Sequence, residues 1–236
     1  KIPDEMFLLN PRHVEAICDG LIAMENWNFN IWAYARVDTC GDAALLAKLK
    51  RAGFNWLGLG IESASAYVRD GAEKGRFGRE ANVAAVRRVQ AAGIAVGANY
   101  IFGLPDDTLE TMTETYDLAC ELNTEWANFY CAMAYPGSAL HREFSARPTG
   151  GALPEAPNGP GWAGYAQHAY VTCPLPTKTL RAAEVLAFRD WVFQNYFYRA
   201  AYQHRLGAKF GPRAIEEVQR MLRAPLPRKL LEKEVT

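Results

Sequence analysis

Three stretches of the 236-residue chain repeat one grammar. Residues 51–63 (RAGFNWLGLGIES), 91–103 (AAGIAVGANYIFG) and 121–137 (ELNTEWANFYCAMAYPG) each leave a helical pattern, turn at Gly53, Gly93 or Asn123, and run into an apolar segment that closes in polar or glycine-containing sequence. Helices of about 11–15 residues alternating with strands of about 5–8 require crossover connections, and crossover connections make a parallel sheet. The strands read as near-continuous apolar runs, as expected when both faces are covered. Strand ends are expected near Arg36, Glu62, Gly103 and Tyr135, giving four complete strands, with Lys1–Ile2 as the tail of an earlier one.

The flanking sequence fits this plan. Asn10 is placed to cap a helix with Pro11 at its first position, where a missing N–H costs nothing. Val14, Ile17, Cys18, Leu21 and Ile22 follow on one face. Asn30–Ala35 reads as a short buried strand, and Asp42 caps a helix carrying Leu45, Leu46, Leu49 and Ala52 that stops at Gly53. Residues 147–178 hold many prolines and glycines and read as a long loop, of the kind that is functional or a linker in compact proteins. From Thr179 to about His204 a single long helix is expected, its aromatic stripe (Phe188, Trp191, Phe193, Tyr196, Phe197, Tyr198, Tyr202) read as core. Ile215, Val218 and Leu222 mark another helix, and the charged tail from Arg228 to Lys233 is expected to be solvated. The chain divides into a core over 1–146, the loop over 147–178 and a helical extension over 179–236.

Composition excludes several classes. Lys plus Arg equal Asp plus Glu at 26 each, and no basic stripe interleaved with aromatics is present, so no nucleic-acid partner is expected. No apolar run reaches the roughly 18–20 residues of a membrane span, so no membrane partner is expected either. Cys18, Cys40, Cys120, Cys131 and Cys173 are odd in number and widely scattered, which fits a reducing cytoplasm better than a disulfide framework. Cys18 and Cys120 read as buried thiols on helical faces, while Cys40 and Cys173 stand where they could line a site. His13, His141, His168 and His204 share no ligand spacing.

In parallel β/α folds the carboxyl ends of the strands form the active edge. The groups gathered there are Asp4–Glu5, Arg36–Asp38, Glu62–Ser63, Asp106–Asp107–Thr108 and Tyr135–Ser138. A cation, several carboxylates, hydroxyls and glycine-exposed backbone suit a zwitterionic ligand bearing a sugar. Capping explains part of the same pattern: Asp107 with Glu110 makes a capping box, and Ser63 or Ser65 could cap the next helix. GLGIES (58–63) matches a dinucleotide fingerprint weakly, because the third glycine and the following acidic residue are missing.

Taken in order, DEMF, Arg36, LLAKLKRAGFNWLGLGIESAS, EKG, AAGIAVGANYIFGLPDDT and AYPGSALH resemble the radical S-adenosylmethionine (radical SAM) superfamily, most closely the branch that carries a cobalamin-binding domain upstream of its core. The resemblance covers residues 1 to about 145, and GWAGYAQHAYVTCPLPTKTL (161–180) with the aromatic helices is similar to extensions of that branch. It implies an α/β fold: a partial (β/α)6 TIM-like barrel, strands 2–6 present and the first unit missing, with a helical C-terminal extension. It implies that S-adenosylmethionine (SAM) lies across the mouth, where a [4Fe–4S] cluster cleaves it to a 5′-deoxyadenosyl radical. By the same resemblance Glu5 lies near the methionine amine, Arg36, Glu62 and Ser63 make polar contacts, and the backbone of Tyr100, Ile101 and Gly103 holds the adenine. Asp107 keeps the acid usually present as glutamate, and Met133 to Tyr135 flank the adenine.

The family's CxxxCxxC motif is absent, and none of the five cysteines can supply three clustered thiolates. The chain is therefore expected to be a truncated piece lacking the cluster loop, inactive alone. The full-length enzyme would take a small-molecule substrate and a reductant such as flavodoxin or ferredoxin, and the branch includes cobalamin-dependent methyl transfer and rearrangement. Two other classes remain open: a non-redox β/α-barrel lyase or isomerase working through Glu62, Arg36 and Asp107, in which Lys74 sits in a stretch connecting helices, and a non-catalytic degenerate subunit.

Overall fold

The structure is a computed structural model that describes residues 1–24, 26–71, 78–146, 153–157, 159–224 and 226–232. Among the described residues the strands are β1 (Ile31–Ala35), β2 (Phe54–Glu62), β3 (Ala95–Phe102) and β4 (Trp126–Cys131), all parallel and in sequence order across the sheet. The helices are α1 (Pro11–Ile22), α2 (Ala43–Arg51), α3 (Ala66–Gly71), α4 (Arg79–Ala91), α5 (Leu109–Leu122), α6 (Ala139–Ser145), α7 (Ala182–Tyr198), α8 (Ala200–Phe210) and α9 (Pro212–Leu222). This is the α/β architecture that the repeated grammar demands. Ile2 donates its N–H to Trp32 O at 2.9 Å, so the first residues run beside β1 as an extended segment.

The caps are mostly those the sequence announces. Asn10 accepts from His13 N, Asp42 accepts from Ala44 N and Leu45 N, and Asn123 takes the left-handed conformation (φ 44°) that closes α5. Three boundaries differ from expectation. β4 stops at Cys131, four residues before Tyr135, because the edge of the sheet is taken over there by side chains and loop. The aromatic helix is two helices, α7 and α8, since Arg199 (ψ 131°) leaves helical geometry between them. In place of Asp107 and Glu110, the α5 capping box is Thr108 with Thr111. Of the 147–178 loop, residues 147–152 and 158 lie outside the described residues, as do Lys74 and the rest of EKG; the described part includes a short 3-10 turn, Gly161–Tyr165.

One face of the sheet packs on the helices. Leu57, Leu59, Val96, Ala98, Tyr100, Phe102 and Phe129 are buried there against Leu45, Leu49, Val86, Leu118, Val185, Tyr196 and Phe197. The aromatic stripe is core where it faces β4, as read from sequence, but Trp191 and Tyr198 are exposed instead of core. Arg228, expected in a solvated tail, is buried and paired with Asp190, Nε to Oδ2 at 2.9 Å. The other face carries Trp32, Tyr34, Trp56, Asn99, Asn128 and Tyr130 at alternate positions. Gly97 leaves room for the Trp32 ring, which a Cβ there would meet at 2.5 Å.

Two polar ties fix the sheet. At its amino end the Glu125 carboxylate, 1% exposed, accepts from Val96 N (2.9 Å), Gln90 Nε2 (3.2 Å) and Lys209 Nζ (2.9 Å), joining β3, α4 and α8. At its outer edge Gln167 copies a neighbouring strand: its amide donates to Cys131 O and accepts from Cys131 N, both at 2.9 Å. Arg189 Nε donates to Phe129 O at 2.7 Å, and Leu175 N to Ala132 O at 3.1 Å. The edge strand is thereby closed to further pairing along this stretch.

Gly103 (φ 80°) ends β3 where α7 presses closest: a Cβ there would lie 2.5 Å from Val185 Cγ1. Gly103→Ala should lower unfolding free energy by about 2 kcal/mol or more, from left-handed strain plus overpacking. In the Val185→Ala background the loss should shrink, since the steric part is removed; equal losses in both backgrounds by chemical denaturation would contradict this packing.

Candidate functional site

The mouth takes its shape from the way β2 leaves the sheet. Gly60 pairs with Asn99, but the next partner of the β3 strand, Tyr100, meets Glu62, so Ile61 is skipped in a bulge. Glu62 then adopts φ 65°, a left-handed conformation uncommon outside glycine. Its carboxylate lies back over Gly60, where a Cβ would stand 2.7 Å from Glu62 Oε1. The glycine of GLGIES is therefore a floor for the Glu62 side chain and not part of a phosphate loop. Behind the turn, Arg69 of α3 is 1% exposed and donates through Nη1 to Ser63 O. Burial lowers the Arg69 pKa, and the Glu62 charge opposes that shift.

The carboxyl edge holds two cavities. The first, about 650 Å³, is lined by Glu5, Arg36 and Glu62, with Lys1, Tyr34 and Asn99 beside them and Arg69 and Asn82 in its wall. It unites three of the expected site residues from three different segments of the chain. Arg36 is already held by Asp38, Nε to Oδ1 at 3.0 Å and Nη2 to Oδ2 at 2.9 Å. Asn99 is oriented by a side-chain relay: Trp126 Nε1 donates to Asn128 Oδ1 (2.8 Å), and Asn128 Nδ2 to Asn99 Oδ1 (2.9 Å). The Asn99 amide nitrogen is thus turned toward β2, 3.4 Å from Leu59 O.

The second cavity, about 780 Å³, is more apolar and is lined by Ile101, Leu104, Met133, Tyr135 and the Asp106–Lys178 ion pair, among others. Tyr135 stacks on Tyr165 (centroids 5.5 Å apart), whose hydroxyl donates to Glu155, the carboxylate that also meets His141 Nε2. Asn99 and Ile101 stand two residues apart on one face of β3, so the two cavities adjoin along that strand.

Four expected site residues line neither cavity. Tyr100 is fully buried on the helix side, stacked on Phe129 at 5.3 Å, because its place in the alternation turns it away from the mouth. Ser63 is buried against Thr115, Oγ to Oγ1 at 3.2 Å, and Ser65 rather than Ser63 caps α3 by accepting from Val68 N. The close approach at Gly103 is that of Val185, and its N–H is taken by Asp107. Asp107 is a clasp: Oδ2 accepts from Gly103 N and Leu104 N, each at 3.0 Å, and Oδ1 from Thr111 Oγ1 at 2.7 Å. Cys40 and Cys173 line neither cavity; Cys40 is buried, with Sγ donating to Arg36 O at 3.4 Å. Asn99, Arg69, Asn82 and Lys178 belong to the cavities but were not expected. Period-two alternation from Ile101 points to Asn99, whereas nothing in the sequence joins Lys178 to Asp106.

Residues 12–119 match the family model described as the Radical SAM superfamily. The chain is 31% identical over 138 residues to the uncharacterized methyltransferase PH0819 of Pyrococcus horikoshii, covering 58% of this chain and 29% of that protein. It is 30% identical over 146 residues to the anaerobic magnesium-protoporphyrin IX monomethyl ester cyclase of Rubrivivax gelatinosus, covering 60% and 25%. Among solved structures it is similar to the radical SAM methyltransferase TsrM of Kitasatospora setae with cobalamin and a [4Fe–4S] cluster bound (TM-score 0.48, 20% identity, 55% and 25% covered). It is also similar to HemN of Escherichia coli, a coproporphyrinogen III oxidase and radical SAM enzyme (0.49, 23%, 57% and 32%). The chain thus matches the radical SAM superfamily model over 108 of its 236 residues. It spans between a quarter and a third of the length of the curated relatives it matches. Among the described residues no helix is long and apolar enough to cross a membrane.

Two outcomes follow from the mouth's geometry. Because φ at residue 62 is left-handed, Glu62→Gly should be more stable than Glu62→Ala by about 1 kcal/mol; an alanine variant as stable as the glycine one in thermal melts would refute the strained turn. Burial pushes the Asp107 pKa up from 3.8 to about 6 against its three hydrogen bonds. The native state then holds this proton more tightly than the unfolded chain, so the group's contribution is full below about pH 4 and falls as pH rises to about 6, by up to about 3 kcal/mol. Asp107→Asn should lack that slope; wild type and variant with parallel stability curves from pH 4 to 7 would show that Asp107 does not titrate this way.

Proposed function

We propose that this chain is the SAM-binding part of a radical SAM enzyme. The observation that carries the reading is the convergence of Glu5, Arg36 and Glu62 on one cavity, next to an apolar cavity lined by Ile101 and Met133, within a domain matching that superfamily. SAM presents an ammonium, a carboxylate, ribose hydroxyls and an adenine. Glu5 and Glu62 offer acceptors to ammonium and hydroxyl donors, and Arg36 offers a guanidinium edge to the carboxylate. The adenine lies against Ile101, Met133 and Tyr135. It is held there by packing and stacking, because the Gly103 N–H and the Phe102 carbonyl are already used by Asp107 and Ala132.

The residues present do not fit a [4Fe–4S] cluster. Cluster iron needs grouped thiolates. The five cysteines are scattered through the sequence, and burial holds each thiol above its ordinary pKa. In this reading the cluster thiolates come from sequence outside this chain, and the chain itself binds and orients SAM without cleaving it. The complete enzyme would take a reductant and a small-molecule substrate, as a methyltransferase or a cyclase like the relatives it matches; cobalamin, which TsrM holds, would be bound by other sequence.

Calorimetric titration of the chain with SAM should show one site, and Glu62→Gln should weaken it about tenfold or more, the range for losing a charge-assisted hydrogen bond. The same titration should give no 5′-deoxyadenosine under reductant. Absence of binding in the wild type, or binding indifferent to Glu62→Gln, would sink the proposal.

A further inference from the structure

Residues 228–232 close on the fold through one guanidinium. Arg228 is 4% exposed, and a buried charge of this kind is tolerated only where it is paired and hydrogen-bonded. Nε and Nη2 donate to the two oxygens of Asp190 on α7, at 2.9 and 3.1 Å. Nη1 donates to Gln167 O and Ala169 O, at 3.0 and 3.1 Å. A planar fork with donors in fixed directions thus sets α7 and the 166–172 arm at one spacing. Asp190 is itself fixed, since it also accepts from Arg189 Nη1 at 2.7 Å and Arg189 Nε donates to Phe129 O of β4. Two further bonds continue the hold: Lys229 N donates to Tyr170 O at 2.9 Å, and the Tyr170 hydroxyl to Glu232 Oε2 at 2.8 Å. The arm has no helix or strand of its own to keep it in place. Yet its Gln167 side chain, bonded to Cys131, lines the second cavity, and Tyr165, just before it, stacks on the lining residue Tyr135.

We propose that Arg228 is a positioning residue for the second cavity: by pinning the Gln167 and Ala169 carbonyls to Asp190, it sets the Gln167 side chain on β4 and the Tyr165 ring against Tyr135, so that the wall meeting the adenine is formed before the ligand arrives. The proposal deepens the SAM reading and rests on it for the identity of the ligand. A preformed wall matters because side chains that must be ordered on binding take back part of the interaction they make. The fork is essential to the hold: a lysine ammonium is a point charge and cannot span a carboxylate and two carbonyls in one plane.

The test uses the whole chain with ¹⁵N label, the Gln167 side-chain amide signals being assigned by their loss in Gln167→Leu. Without SAM, Arg228→Met should move these signals to the positions of an exposed glutamine, and Arg228→Lys should do the same. With SAM, Arg228→Met should weaken binding about fivefold, the order of the cost of ordering a freed side chain on binding. It should also shrink the SAM-induced shifts of the Ile101 and Met133 methyl groups while those of the Gly60–Glu62 amides persist. Gln167 signals unchanged in either variant overturn the proposal. So do released Gln167 signals with wild-type SAM affinity, and so does a loss of both sets of shifts together, which marks a general structural role. Should Arg228→Met fail to fold, hydrogen exchange of the wild type decides: the Cys131 and Lys229 amides, which donate to Gln167 and Tyr170, should open with one free energy and one denaturant dependence, and separate openings overturn it. The Gln167 and exchange measurements need no SAM, so a wild type that fails to bind SAM defeats the functional reading while the hold of Arg228 on the arm is decided separately.

Discussion

The exit of β2 from the sheet governs the mouth. A parallel strand that simply continued would send alternate residues to opposite faces and leave Glu62 in step with its neighbours. The bulge at Ile61 breaks that step, and the left-handed turn at Glu62 folds the carboxylate back over Gly60. Such a conformation is disfavoured for a residue with a Cβ. It is held by the buried grip of Arg69 on Ser63 O and by the anchoring of Ser63 and Ala64 to Thr115 of α5. The charged wall of the first cavity is thus built on backbone that three elements fix together.

The remaining walls depend on ties of the same kind. Asp107 gathers the backbone N–H groups of Gly103 and Leu104 and the Thr111 hydroxyl, so the Gly-Leu-Pro-Asp-Asp-Thr turn is closed on itself before α5 begins. On the outer edge, Gln167 and Arg189 supply the hydrogen bonds that a next strand would make with β4. The arm that carries Gln167 also brings Tyr165 under Tyr135 and Lys178 to Asp106, so closing the sheet edge and walling the second cavity are one structural act. Glu125 does the corresponding work at the far end, tying β3 to α4 and α8.

The alternation of helix and strand, the turns at Gly53, Gly93 and Asn123, and the caps at Asn10 and Asp42 were legible because each rests on local chemistry: a period, a left-handed turn residue, a side-chain acceptor. The grouping of Glu5, Arg36 and Glu62 was legible because parallel strands send their carboxyl ends to one edge. The reading failed where a residue type has two uses. Asp107 could cap a helix or clasp a turn, and only the position of the Gly103 and Leu104 N–H groups decides. Gly103 could admit a ligand or a helix, and Val185, more than eighty residues away in sequence, is the neighbour. Tyr100 was assigned through its backbone, while strand alternation alone sends its side chain to the core. Arg69 and Lys178 act through partners that no local pattern announces.

The most direct test of the account is an NMR titration of the chain with SAM, following backbone amides of Gly60–Glu62 and methyl groups of Ile101 and Met133. The account predicts that both sets shift together and saturate at one SAM equivalent, since one ligand spans the charged and the apolar cavity. Shifts confined to one set, or absent from both while other regions respond, would contradict it.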